Sequence, residues 1–181
     1  LRDWSSDVCS SDLDEIDKLL GNQDLTFNDL RALESRPVDP APVLMINGTV
    51  YNSGQRLVMT NLPATRLPSI MEHNYTNVAM PETDRQILRN LVQPLTFADF
   101  GSDIGSYPLA KALAASAAYP ILLAPVPLRV YPQHVPPHLA GRVDEKLLQS
   151  SVAYVADGGL YENEGVDPLL SLIKTVDKNQ P

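Results

Sequence analysis

The chain reads as an α/β domain, a sheet with helices on its faces. Three observations predict this: segments of helical and strand-like pattern alternate, the strand-like runs are short and apolar, and the loops fall at strand ends. With 181 residues there is room for one domain or part of one. Hydrophobic residues at 44% and charged residues at 20% are proportions of a globular domain, which argues against wholesale disorder.

Residues 1–13 stand apart. Trp4, Cys9 and the alternating serines and aspartates around them (Ser5, Ser6, Asp7, Ser10, Ser11, Asp12) reproduce a sequencing-library adapter translated in frame. They are read as an artefact and excluded from fold reasoning, which leaves residues 14–181 as the domain. With them go the only tryptophan and the only cysteine, so no disulfide, thiolate metal site or thiol nucleophile is expected.

The elements follow in order. Ile16, Leu19 and Leu20 are spaced for a short helix that Gly21 can end. Residues 24–30 can cap and start a further turn, and Pro37, Pro40 and Pro42 mark a connector. The apolar run at 43–46 predicts a strand buried on both faces, which Asn47, Gly48 and Thr49 end or bulge. Residues 51–56 read as a turn and 57–60 as a second strand, giving a strand–loop–strand unit at one sheet edge. Residues 61–80 read as loop, and Ile87, Leu88 and Leu91 as a helical stripe within 82–91. Ser106 is placed to cap a helix with Pro108 in its first turn and an alanine-rich body over 109–118 that Pro120 stops. Its small side chains permit close packing. Pro125, Pro127, Pro132, Pro136 and Pro137 make 121–138 extended and irregular. Tyr154, Val155 and Ala156 form a short strand ending at Asp157, Gly158 and Gly159, and a helical pattern resumes over 166–176.

A net charge of −8 argues against binding nucleic acid through a broad basic surface. No stretch reaches the roughly 18 apolar residues of a membrane-spanning helix; the longest, at 112–127, is broken by Ser116, Pro120 and Pro125.

Asp157 is the leading candidate for chemistry. An aspartate at the C-terminal end of a strand in an α/β sheet stands where ligands bind. Gly158 and Gly159 permit a tight turn behind it, and a carboxylate there can take a proton from a nucleophile or orient one. The competing reading is a plain Asp-Gly turn at a strand end. Other groups are weaker. Ser116 lies between Ala115 and Ala117 with no strained turn to expose it, so helix packing is its expected role. His134 and His138 have helix-compatible spacing for a metal, but Pro136 and Pro137 between them forbid a regular helix; they and His73 are read as solvated loop histidines. Asp99 and Asp103 could hold a cation, with loop capping the simpler expectation. Asn163 either supports the Asp157 turn or faces solvent. No metal or other cofactor is called for.

Three segments, in order, resemble the patatin-like phospholipase family of lipid acyl hydrolases. Residues 42–49 with Ser53 and Gly54 resemble its strand and hairpin. Residues 106–120 resemble its Ala/Ser-rich helix, which ends in a small residue followed two positions later by proline. Residues 154–169 resemble its D-G-[GA] box with a downstream Asn and following helix. The resemblance spans about residues 24–175, and the box following the helix is its most specific part.

The resemblance implies a three-layer α/β/α fold and a Ser-Asp dyad that cleaves fatty-acyl esters of glycerolipids. In the family the serine lies in a G-x-S-x-G elbow and a glycine-rich loop supplies an oxyanion hole. A lipid or phospholipid substrate, peripheral membrane contact and no nucleic acid are the implied partners. Asp157, with its Gly158-Gly159 turn, is the only functional position carried over. The chain contains no G-x-S-x-G and no glycine-rich oxyanion loop. Both would precede residue 14, where the adapter-like string begins, so residues 14–181 are expected to be an inactive C-terminal part of such a domain. A sheet missing a strand would then expose an apolar edge. The alternatives are a non-catalytic lipid-binding or interaction module of the same fold, and an unrelated α/β binding domain in which Asp157 only closes a turn. Nothing in the sequence assigns a cellular location.

Overall fold

The computed structural model describes residues 25–37, 42–62, 81, 94–120 and 122–160. Among these, three α-helices and four strands form a mixed α/β unit: α1 (Phe27–Glu34), β1 (Met45–Val50), β2 (Gln55–Thr60), α2 (Leu109–Ser116), β3 (Val126–Arg129), α3 (Glu145–Gln149) and β4 (Val152–Asp157). The α/β class therefore holds. The strand order is β2-β1-β4-β3, with every neighbouring pair antiparallel. The helical patterns expected at 14–20, 82–91 and 166–176 lie outside the described residues.

α1 starts at Thr26 through a reciprocal cap. The Thr26 hydroxyl accepts from the Asp29 amide, and the Asp29 carboxylate accepts from the Thr26 amide at 2.8 Å. The Thr26 hydroxyl and amide hold the Asp29 carboxyl below the usual aspartate range. α2 starts later than Ser106 would have it. Pro108 is its cap residue and is extended, with ψ 134°. It forms an antiparallel bridge with Thr26, and the Leu109 amide donates to Leu25 O at 2.7 Å, so the chain stays extended until Leu109. The helix ends at Ser116, ahead of Pro120.

β1 and β2 form the expected strand–loop–strand unit, joined by a turn over 51–54, with β2 at one end of the strand order. The expected break at Asn47, Gly48 and Thr49 is corrected. All three lie inside β1, because Gly48 is paired on both sides, to Leu57 and to Asp157. Residues 126–129, expected to be extended but irregular, are extended and form a regular strand, β3, despite Pro127. β3 stands at the other end of the order, and proline is tolerated in an outer strand because its missing N–H can face away from the ladder.

Strand register sorts the side chains. Ile46 and Val50 of β1, Leu57 and Met59 of β2, Val126 and Leu128 of β3, and Ala153 and Val155 of β4 share one face. They form one core with Phe27 and Leu30 of α1, Leu109, Ala112 and Ala115 of α2, and Leu147 of α3. α2 packs across β1 and β4, and its alanines let the helix lie close to the sheet. On the opposite face Thr49, Arg56, Val58, Thr60 and Ala156 are buried as well, while Tyr154 is exposed.

The outer edges are partly bonded. Beyond β2, Leu95 exchanges backbone bonds with Val58 and Arg56 at 2.9 and 2.7 Å. Beyond β3, the Tyr131 amide donates to Phe100 O and the Ser102 hydroxyl to Arg129 O, each at 2.8 Å. A bare apolar edge, expected from a missing strand, is thus blunted at these positions.

Candidate functional site around Asp157

β4 ends at Asp157, where the chain turns into a short 3-10 segment, Gly158–Leu160. Four contacts fix the turn. The Asp157 amide donates to Ala118 O at 3.0 Å, just past the end of α2. Its carbonyl accepts the Thr49 hydroxyl at 2.8 Å. Its partner across the ladder is Gly48. Its Oδ1 accepts the Gly159 amide at 2.6 Å, closing an Asx turn.

Gly158 is required by close approach. A Cβ there would stand 2.8 Å from the backbone oxygen of Asn47 and 3.0 Å from its Cβ. The first glycine of the pair therefore lets the turn fold down onto β1. The three segments at 42–49, 106–120 and 154–160 come together at this one place. The Asp157 side chain is half-buried on the core-facing side of the sheet. A carboxylate accepts at both oxygens, so the bond to Gly159 does not exhaust it. Chemically the group can accept a proton from, or orient, a hydroxyl brought beside it.

Exposed apolar side chains follow both partners of the Ala118–Asp157 bond in sequence. Tyr119 and Leu122 follow Ala118, and Leu160 follows Gly159; Leu122 is 80% exposed. Among the described residues no helix is long and apolar enough to cross a membrane.

The remaining candidates fall elsewhere. Ser116 is the last residue of α2, not part of an elbow between strand and helix. His134 and His138 are exposed, each in its own proline-led 3-10 turn. Among the described residues no three metal-ligating side chains cluster. Asp99 and Asp103 both serve as loop caps. Asp99 accepts from the Thr96 amide at 2.7 Å and from the Thr96 hydroxyl at 2.9 Å. Asp103 accepts from the Gly105 amide at 3.0 Å. His73 and Asn163 lie outside the described residues.

Two features have no local sequence signal. Asp99 is fully buried, and its charge is met by Arg142, 3.2 Å away. Burial raises the Asp99 carboxyl above the usual aspartate value, and the Arg142 guanidinium opposes that shift. The second is a groove beside the N-terminal turn of α2, lined by residues between 97 and 134. Its residues are scattered through loops, where no periodicity marks them. No family model, no curated protein and no solved structure matches the chain.

Proposed function

We propose that the chain is part of a patatin-like lipid acyl hydrolase domain, with Asp157 as the base of a Ser-Asp dyad. The observation that carries this reading is the meeting of the three family-like segments at one carboxylate: Asp157 is tied to the alanine helix through Ala118 and to β1 through Thr49 and Gly48. Burial on both faces of β1 and β2 is what a three-layer α/β/α arrangement requires. Exposed Tyr119 and Leu122, just after Ala118, and Leu160, at the end of the turn, suit a lipid substrate and contact with a membrane surface.

In this reading a serine from sequence outside the chain attacks the ester carbonyl, and Asp157 takes its proton. Asp157 hands that proton to the departing alkoxide, so the alcohol leaves and an acyl-serine remains. Asp157 then draws a proton from water as the water oxygen attacks the acyl carbon; the bond to serine breaks, the proton returns to the serine oxygen and the fatty acid leaves. No cofactor is needed. The chain by itself, without G-x-S-x-G, is inactive.

The test is the longer reading frame. The reading requires a G-x-S-x-G upstream of residue 14, and a complete protein whose esterase turnover and labelling by a serine-directed fluorophosphonate are lost on Asp157→Ala. Turnover that survives the substitution sinks the dyad. The Asx turn to Gly159 favours a second reading, a non-catalytic lipid-binding or interaction module of the same fold in which Asp157 is structural. An intact upstream start codon with no such motif decides for that one.

A further inference from the structure

Asn47 and Gly48 form an Asn-Gly pair in the interior of β1. In a flexible chain such a pair is chemically labile. Glycine has no side chain to hinder the approach of its own amide nitrogen to the preceding side-chain carbonyl, and it leaves the backbone free to turn. The Gly48 nitrogen attacks Asn47 Cγ, and its proton departs with the side-chain nitrogen as ammonia. The five-membered imide that remains takes up one water at either carbonyl. One opening gives aspartate. The other and commoner one gives isoaspartate, in which the main chain runs through Cγ.

The fold closes that route. Ring closure requires the Asn47 backbone to leave the extended conformation that a strand imposes. Gly48 is paired with Leu57 on one side and with Asp157 on the other, so both neighbours must release it first. The Asn47 side chain is confined as well. It is half-buried, and the Gly158 turn lies against it: a Cβ at 158 would stand 3.0 Å from Asn47 Cβ and 2.8 Å from the Asn47 backbone oxygen. Its Oδ1 is buried, and no donor among the described residues reaches it.

The hold on β1 is uneven. β2 is in register with it from Met45 to Val50, whereas β4 meets it from Gly48 to Val50, with Gly48 and Asp157 the last pair. Past that pair the Gly158 turn takes over the contact with Asn47. The way back is barred too. Isoaspartate adds one backbone atom to a strand whose register is fixed from both sides, so the pairing with β2 and β4 cannot resume unchanged.

We propose that Asn47 is a modification site, shielded while β4 and the Gly158 turn hold β1, and converted to isoaspartate once they release it, after which the central strand cannot re-form. The test is peptide mapping by mass spectrometry of this chain, aged at neutral pH in native buffer and in concentrated urea. A peptide of residues 46–51, aged in the same buffers, gives the unshielded rate. No hydrolase activity enters the readout.

The folded chain should form isoaspartate at Asn47 at least about tenfold more slowly than the peptide, and the chain in urea at close to the peptide's rate. Gly158→Ala, whose Cβ would press the turn off Asn47, should raise the rate in native buffer about tenfold. After dilution from urea, isoaspartate at position 47 should be depleted about tenfold from the protease-resistant fraction. Equal rates in the native chain and the peptide would show that the strand does not shield the pair. A native rate unmoved by Gly158→Ala would remove the turn from the shield, and undiminished isoaspartate in the resistant fraction would remove the bar to refolding. Any of the three overturns the proposal, and the comparison of chain with peptide needs no variant to fold.

Discussion

The amide of Asp157 donates to the carbonyl oxygen of Ala118, tying the end of β4 to the chain just beyond α2. The bond closes a small junction in which helix, hairpin strand and turn meet, and the stability of that junction can be tested piece by piece.

Gly158→Ala should destabilise the fold by about 2 kcal/mol, the range for overpacking a close contact. The added Cβ would press on the backbone oxygen of Asn47, which cannot swing aside as a flexible side chain could. Denaturant unfolding measures the loss, and amide shifts should concentrate at Asn47 and Asp157. An unchanged midpoint would mean that the turn does not lie on β1.

Thr49→Val keeps the shape of a buried side chain but removes the hydroxyl that donates to Asp157 O at 2.8 Å. The cost should be about 1–2 kcal/mol, that of losing a partly buried hydrogen bond. Hydrogen exchange should quicken at Gly158 and Gly159 and stay constant at Phe27. Uniform quickening would point to a global effect rather than a local one.

The Asp99–Arg142 pair predicts a pH-dependent variant. Burial holds the folded carboxyl above its unfolded value. The stability linked to this group is therefore full below the ordinary aspartate value of 3.8 and is lost as pH rises through the folded value. Arg142→Gln removes the opposing positive charge, so the folded value rises further and the loss extends to higher pH. The variant should be about 3 kcal/mol less stable than the wild type at pH 7. The gap should narrow toward pH 4, leaving mainly the lost bond from Arg142 to Pro94 O. Urea unfolding across that range tests it, and a constant gap contradicts the assignment.

Gly101→Ala should cost about 1–3 kcal/mol, from a left-handed backbone and from overlap with Tyr131 O. It should also separate the walls of the groove. Thermal unfolding gives the first effect, and faster hydrogen exchange at the Tyr131 amide, which donates to Phe100 O, gives the second. A variant as stable as the parent would show that the two segments are not in contact.

Much of the framework was legible because it depends on neighbours in sequence. The alanines at 110, 112, 114 and 115 favour a helix wherever they pack. The apolar β-branched and aromatic run before Asp157 marks a strand, and the turn over 51–54 marks the hairpin. What was misread depends on partners that are distant in sequence. Asn47, Gly48 and Thr49 carry loop residue types, yet they are strand because β2 and β4 pair with them from both sides. Pro127 argues against a strand locally, but β3 is held by β4 on one side.

The site divides in the same way. The residues Asp157, Gly158 and Gly159 at a strand end were set by the sequence alone, since a carboxylate and a flexible turn are properties of those residues. The meeting of that carboxylate with Ala118 and Thr49, the burial of Asp99 beside Arg142, and the gathering of Tyr107, Lys111, Tyr131 and His134 around one groove were decided only by the tertiary structure. Side-chain type and local backbone preference are written along the chain. Which distant groups share a low-dielectric interior is settled only when the sheet register and the helix packing close around them.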